Sequence, residues 1–351
     1  MLTPPPTDWL ILGAGISGLV AGSFLLKAGQ TIQILEKSKG VGGRLATRRI
    51  SLAEDPKQVI TFNHGLRFIE LRQPETFQIL NEILDPFTLQ GWTRSILRKS
   101  GEPESQRISP SPGINSLPKA LPAARDVQKN RLIAKICYDS SQKLWQAMTS
   151  EGIHYSARQI LCSFPIPQTV EILKNSPIEF ETPLPSEIIQ SQYQPTLVVL
   201  IVLRGSRNGG RSGHSLDASS NHSLVIAPQD ETQDSSTHLL CLTLYLSPES
   251  SERLLSESES VILHYAIGQI KNLNPTEITQ FQVHRWRYAQ PKLSLKAPFL
   301  ALPAKNAPQS SPLYLIGDYF GSSQLSPLER AIQSGHEVAR NFMTHLPKKN
   351  Q

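Results

Sequence analysis

The sequence predicts an α/β protein: a parallel sheet with an attached β-meander, interrupted by an inserted, mainly antiparallel α+β domain. Three observations predict it. The first 36 residues read as strand, glycine turn, helix and strand; the stretch from Leu313 onward returns to that style; and the middle carries strands separated by hairpin-like turns. At 351 residues the chain is about twice the roughly 150-residue prior for one domain, which leaves room for a second domain within the first.

Each element follows from local pattern. DWLIL, ending at Leu12, is a short apolar strand; GAGISG is a tight turn; Ser17 to Lys27 is a helix stopped at Gly29; and TIQILE is a second strand ending at Glu36. Two strands joined through one helix within about 30 residues form a βαβ unit, which requires a parallel pair. Between Arg131 and Phe164, RLIAKICYDSS, KLWQAMTSEG and IHYSARQILCSF read as three strands with Ser-Ser and Glu-Gly turns, hence a meander. The continuous apolar run from Pro195 to Leu203 predicts a central strand of a second sheet, and HLLCLTLYL another strand. Gly205 to Ser223 reads as a long exposed loop or an elaborated hairpin, and Pro248 to Asn272 as one helix with Glu252, Glu257 and Glu259 in solvent. LYLIGD, Leu313 to Asp318, is a buried strand followed by a helix over Leu328 to Phe342.

Composition narrows the function classes. Hydrophobic residues at 39% and charged residues at 18% belong to a globular chain. The net charge is +6, but Lys and Arg are scattered, so no clustered basic face for nucleic acid is expected. Cys137, Cys162 and Cys241 are odd in number, lack CxxC spacing and sit in strand-like stretches, which predicts reduced buried thiols. No charge occurs from Trp9 to Leu26, yet the glycines divide that stretch into strand and helix; no membrane span, no targeting segment and a cytoplasmic location are expected. The histidines show no metal spacing, and neither a GxSxG elbow, an HExxH pair nor a Walker loop is present.

The chemistry begins at Gly13-Ala14-Gly15-Ile16-Ser17-Gly18, placed between a strand and a helix, with Glu36 closing the next strand. This is a Rossmann-type dinucleotide fingerprint in its required context. Gly13 permits the turn, Gly15 lets a pyrophosphate approach the backbone, Gly18 allows close helix packing, and Glu36 can accept from a ribose diol. A coincidental glycine turn is the alternative. Past Glu36 and Lys37, the adjacent Gly42 and Gly43 and then Arg44 offer a second close approach and a cation for pyrophosphate oxygens, against an ordinary turn with a solvated Arg. Gly317-Asp318 stands at a strand end ahead of the helix opening at Leu328, Glu329 and Ala331, where Asp318 can hold sugar hydroxyls or simply cap the helix.

With GAGISG, Glu36, GGRLATRR, FNHGLRFIE, SPGINSLPKAL, ILCSFPIPQTVEIL, HRWRYAQP and the closing LYLIGDYFGSSQLSPLERAIQSGHEVA, the chain resembles the renalase-type flavoproteins of the FAD-dependent amine oxidase superfamily, and HRWRYAQP points to their bacterial type. The resemblance runs in order from about Asp8 to Phe342. It implies a non-covalent FAD held by Gly13, Ala14, Gly15, Ile16, Ser17, Gly18, Glu36, Lys37, Gly42, Gly43, Arg44, Asn63, Gly65, Gly317, Asp318, Leu328, Glu329 and Ala331, with a strand near Ile133 meeting the adenine. Relatives carry Asp-x-Gly-Ala-Gln-Tyr where this chain has Asn63-His64-Gly65-Leu66-Arg67-Phe68, so the flavin-facing wall differs. No cysteine lies in the closing motif to bond the flavin.

His64, Arg67, Trp286 and Tyr288 are the candidate catalytic residues, each with a plain structural alternative: a core histidine, a solvated arginine, and two aromatics packed on one strand face. The expected domains are a discontinuous FAD-binding domain over residues 1–75, 108–168 and 290–351, and a substrate domain over 76–107 and 169–289. The expected reaction is hydride transfer from an amine or a dihydronicotinamide-like substrate to flavin N5, with dioxygen as the electron acceptor and a planar or anionic ring as the favoured ligand. A non-catalytic flavin- or nucleotide-binding protein and an NAD-dependent dehydrogenase are the alternatives.

Overall fold

A computed structural model describes residues 5–53, 55–96, 105–108, 110–204, 217–219, 221–226 and 239–345. These fall into two compact units. One comprises Met1–Leu45, Phe68–Gln192 and Pro291–Gln351, the other Ala46–Arg67 and Tyr193–Gln290.

The first unit is built on a mixed sheet. Its path runs Leu300–Leu302, Leu313–Leu315, His154–Cys162, Thr7–Leu12, Ile32–Leu35 and Val127–Gln128, and the strands Leu144–Thr149 and Ile133–Asp139 branch from His154–Cys162 as the expected meander. Thr7–Leu12 pairs in parallel with both Ile32–Leu35 and His154–Cys162, and the latter in parallel with Leu313–Leu315. Parallel strands need both faces covered, and Trp9, Leu10, Ile11 and Leu12 are accordingly fully buried. Helix Ile16–Lys27 follows the first strand and packs against the closing helix Pro327–Thr344 so tightly that a Cβ on Gly335 would collide with the Ser17 carbonyl. The uncharged stretch from Trp9 to Leu26 is therefore part strand and part helix, and no described helix is long and apolar enough to cross a membrane.

The second unit has a four-stranded sheet in the order Ser223–Ile226, Leu239–Tyr245, Tyr193–Arg204 and Ile278–Pro291. Side-chain alternation sorts its two faces. Leu197, Val199, Ile201 and Leu203 pack with Leu242 and Leu244 on the side of helices Pro248–Leu254 and Glu259–Gly268. Val198, Leu200 and Val202 pack on the other side with Ile50, Leu52 and Phe62 from the hairpin Thr47–Ser51 and Val59–Asn63.

Two expectations change. The single helix over Pro248 to Asn272 is two helices, because Ser247 and Ser258 each accept from a backbone N–H three residues on and start a new helix. The units also divide differently from the expected domains. Residues 46–67 join the second unit through Ile50, Leu52 and Phe62, whereas 76–96, 105–107 and 169–192 belong to the first. Thr76 is buried and its hydroxyl accepts from Gln333 of the closing helix, and the Tyr319 hydroxyl donates to the Glu187 carbonyl. The exposed loop or elaborated hairpin expected over Gly205 to Ser223 lies mostly outside the described residues; Asp217–Ala218 within it is a short strand. Cys162 and Cys241 are buried free thiols, Cys137 a half-buried one; burial pushes all three upward, Cys241 to about 11.

Candidate functional site

In the first unit, two glycine turns meet. Gly13 has φ +104° and donates to the Leu35 carbonyl at 2.8 Å, and a Cβ there would strike Ser163 Oγ. Gly18 faces the Gly13 carbonyl so closely that a Cβ would collide with it, the close packing expected of the third glycine. Gly15 caps helix Ile16–Lys27 and differs from both: open space surrounds the place where its Cβ would be. Gly42, at φ +109°, donates to the Ala14 carbonyl at 2.8 Å and bridges to Gly15, while the site of a Gly43 Cβ lies 3.4 Å from Gly15 Cα.

Glu36 ties these turns together. One carboxylate oxygen accepts from the Ala14 N–H at 2.9 Å and the other from the Ser38 N–H at 2.8 Å, so each keeps a lone pair for a sugar hydroxyl. Ala14 is thus committed to protein at both its N–H and its carbonyl. Ile16 and Ser17 are buried in the first turn of the helix. That turn has no side-chain cap and no acidic residue, which leaves its positive dipole end suited to a phosphate.

The closing element adds Gly317 and Asp318. Gly317 has φ +138°, open space at its Cβ position, and an N–H that donates to Ser334 Oγ at 3.0 Å. Asp318, its side chain 4% exposed, receives Arg44 Nη1 at 2.6 Å. Arg330 then locks the turn, donating to the Asp318 carbonyl at 2.6 Å and the Leu325 carbonyl at 2.8 Å. Asp318 is not the helix cap; Ser326 is, in a capping box with Glu329.

Several expected cofactor residues also make contacts within the protein. Glu329 is fully buried, and its carboxylate accepts from the backbone of Arg72, Gln73 and Ser326 as well as from Ser326 Oγ. A carboxylate serving four protein donors is a structural brace. Leu328 and Ala331 are buried beside it. Lys37 is exposed and reaches Gln168 Oε1 at 3.3 Å. Ile133 opens a meander strand and pairs with Thr149; the backbone flanking Glu36 comes from Gln128, which accepts from the Glu36 N–H, and Arg131, which donates to the Glu36 carbonyl.

In the second unit, the residues around position 64 form a wall. The His64 ring stacks on Trp286 at 5.5 Å and 19°, and His284 lies 4.4 Å from His64 and 4.5 Å from Trp286. Trp286 Nε1 donates to the His64 carbonyl at 2.7 Å, and the His64 N–H donates to Ala46. Burial, then His284, then Arg48 lower the His64 imidazole to about 3; burial and Arg48 also lower His284. Arg48 is held by Gln282, two residues before His284 on the same strand face. Arg67 is exposed and lies 5.1 Å over the Tyr245 ring, and the Tyr245 hydroxyl donates to the Asn63 carbonyl at 2.9 Å. Burial pushes the Tyr245 phenol upward against a smaller opposing pull from Arg67. Asn63 Oδ1 accepts from Thr47, Gly65 is half-buried between His64 and Arg67, and Tyr288 meets Tyr193 edge-on at 5.8 Å.

Sequence reasoning missed His284, Arg48 and Tyr245 here, and Ser163, Ser334 and Arg330 in the first unit. His284 was within reach, since it stands two residues before Trp286 and so on the same strand face. The Arg44–Asp318 pair joins two turns 274 residues apart, and no local signal announces it.

Residues 11–83 match a family model described as an NAD(P)-binding Rossmann-like domain, and residues 85–343 one described as flavin containing amine oxidoreductase. The L-amino-acid oxidase of Echis ocellatus is 31% identical over 128 residues, 33% of this chain and 23% of that protein. The chain matches about a quarter or less of the length of its first curated relatives. Among solved structures, a putrescine oxidase double mutant superposes with a TM-score of 0.59 at 13% identity, covering 97% of this chain and 99% of that one. Cyclohexylamine oxidase from Brevibacterium oxydans IH-35A gives 0.53 at 13% identity, with 97% and 99% covered. Both likenesses are of fold.

Proposed function

We propose a function on this premise: the chain belongs to the flavin-containing amine oxidoreductase family. Its cofactor is FAD, and the first unit fits that group, with open space at Gly15 and Gly317 and an uncapped helix start free of acidic residues. The chain acts as an FAD-dependent oxidoreductase of renalase-like type that takes a hydride from a C–H bond next to nitrogen, in an amine or a dihydronicotinamide-like ring, with dioxygen as the final acceptor. The single observation that carries this reading is the Arg44–Asp318 pair, because it draws the GGR turn and the GD turn to one place.

FAD, when bound, supplies the hydride acceptor and the redox chemistry. The chain supplies position and charge. Gly15, Ser17 and the helix start would hold pyrophosphate, Glu36 would hold ribose, and Asp318 with Arg44 would hold the far end of the dinucleotide. On the substrate side this reading assigns His64, Trp286, Tyr288 and Arg67. Arg48 and Arg67 make it a positive surface, which favours an anionic planar ligand over an alkylammonium. Arg285 has no part in that preference: it turns to the helix side of the sheet, donating to the Leu255 and Glu257 carbonyls, and Arg287 is exposed.

Anaerobic stopped-flow reduction of the purified holoprotein tests this reading. Dihydronicotinamide mononucleotide is expected to bleach the flavin faster than benzylamine. Rapid bleaching by benzylamine alone would overturn the charge preference, and no bleaching by either would overturn the renalase-like assignment.

A further inference from the structure

Glu36 gives both of its backbone groups to one short segment of the first unit. Its N–H donates to the Gln128 carbonyl at 2.9 Å, its carbonyl accepts from the Arg131 N–H at 2.8 Å, and two residues on the Ser38 carbonyl accepts from the Asn130 N–H at 3.3 Å. Residues 128–131 therefore run alongside 36–38 and set the point from which the Glu36 side chain starts. The segment has little regular structure of its own to hold it. The strand it leaves, Val127–Gln128, is two residues long and ends the path of the sheet, paired with Ile34 and Leu35. Asn130 then turns the chain at φ +56°, a left-handed value that asparagine tolerates better than most residues.

A hydroxyl from the meander joins the two ends of this segment. Tyr155, on the strand His154–Cys162, is 3% exposed; its hydroxyl accepts from Arg131 Nε at 2.8 Å and donates to Gln128 Oε1 at 2.8 Å. The directions follow from the groups: a guanidinium only donates, so the hydroxyl accepts there and its single proton goes to the Gln128 side-chain oxygen. Arg131 Nη1 also donates to the Asn130 carbonyl at 3.1 Å and closes the turn. One phenol thus ties together the two residues whose backbone flanks Glu36. Because the Glu36 carboxylate spans the Ala14 and Ser38 N–H groups at 2.9 and 2.8 Å, a shift of its backbone is carried to both of those contacts.

We propose that Tyr155 is a positioning residue for the adenosine end of the cofactor: its hydroxyl holds residues 128–131 against Glu36 and so aims the carboxylate that receives the ribose. This rests on the FAD reading with Glu36 at the ribose, and adds to it a residue that lies 119 positions along the chain from the carboxylate it serves. Tyr155 acts through Glu36. A brace of the fold alone would act whether or not that carboxylate is present.

A double-mutant cycle of Tyr155→Phe and Glu36→Ala separates the two roles, read by FAD titration of the full chain stripped of flavin. Tyr155→Phe keeps the ring and loses the hydroxyl, and is expected to weaken FAD binding about threefold to tenfold, the worth of about one hydrogen bond. In the Glu36→Ala background the same change is expected to weaken it less than about twofold, because no carboxylate remains to be misplaced. Equal losses in the two backgrounds, or an unchanged affinity in Tyr155→Phe, would overturn the proposal. If melting curves show that Glu36→Ala does not fold, Glu36→Gln takes its place in the cycle. Competition by ADP, which carries the adenosine end without the flavin, is the second arm: its affinity is expected to fall in Tyr155→Phe by the same factor as that of FAD, and a loss confined to FAD would overturn the proposal. Failures are distinguishable. A wild-type chain that takes up no FAD would overturn the functional reading and this proposal with it, whereas FAD uptake that Tyr155→Phe leaves unchanged would overturn this proposal alone.

Discussion

The Arg44 guanidinium lies 2.6 Å from the Asp318 carboxylate, so the turn after the second strand and the turn after the last parallel strand share one ion pair. Asp318 is buried and Arg44 is 28% exposed at its side chain. Arg44→Ala leaves the buried carboxylate without this partner and is expected to cost roughly 2 to 3 kcal/mol, at or below the lower edge of the range for broken buried pairs because Arg44 keeps some water contact. Asp318→Asn, which removes the charge and keeps an acceptor, is expected to cost less. Urea unfolding of both variants checks the order, and FAD retention is expected to fall in both.

The glycines of the first turn separate folding from cofactor binding. Gly15→Ala meets nothing within 4 Å and its φ of −71° suits any residue, so this variant is expected to fold with a near-normal melting temperature. The added methyl occupies the space a pyrophosphate needs, and FAD affinity is expected to fall at least about tenfold, or roughly 1.4 kcal/mol. Gly18→Ala forces a methyl onto the Gly13 carbonyl and is expected to destabilise the fold itself. Melting curves beside FAD titration of the apoproteins distinguish the two; equal behaviour would contradict the assignment of Gly15.

Glu36→Ala removes the acceptor for the Ala14 and Ser38 N–H groups along with the expected ribose contact. Its FAD affinity is expected to weaken by roughly 1.5 to 3 kcal/mol, the range for hydrogen bonds to a charged group. Equilibrium dialysis of the reconstituted apoprotein measures it, and unchanged affinity would show the ribose to be held elsewhere.

The pH dependence of stability follows from His64. Its folded imidazole titrates at about 3 against an ordinary 6.5, so between those values the unfolded chain binds more protons than the folded one. Stability from this group is fully present above about 6.5 and is lost as pH falls toward 3, by up to about 1.4 kcal/mol per pH unit. His64→Gln lacks the titrating group and is expected to show a shallower loss in denaturant melts at pH 7, 6 and 5.

The opening βαβ unit was legible because its cause is local: Gly13 permits the turn, Gly18 lets the helix pack close to it, and apolar runs on either side impose the strands. The meander was legible for the same reason, from alternation and turn residues. What local pattern cannot carry is partnership. Residues 46–67 read like a continuation of the nucleotide domain, yet Ile50, Leu52 and Phe62 are apolar on one face of a hairpin and find Val198, Leu200 and Val202. The resemblance places Glu329 at the cofactor, and its side chain is also half of a capping box with Ser326 and an acceptor for Arg72 and Gln73, partners that no pattern around it singles out. Arg285 is adjacent to Trp286 in sequence, yet strand alternation sends the two to opposite faces.

The central claim is that the paired glycine turns and the Arg44–Asp318 closure hold FAD, and the absorbance spectrum of the purified protein tests it most directly. The expected result is a yellow protein with flavin bands whose chromophore is released by heat denaturation and identified as FAD, one per chain, with no covalently retained fraction. A colourless protein that cannot be reconstituted with FAD, yet binds NAD, would contradict the account.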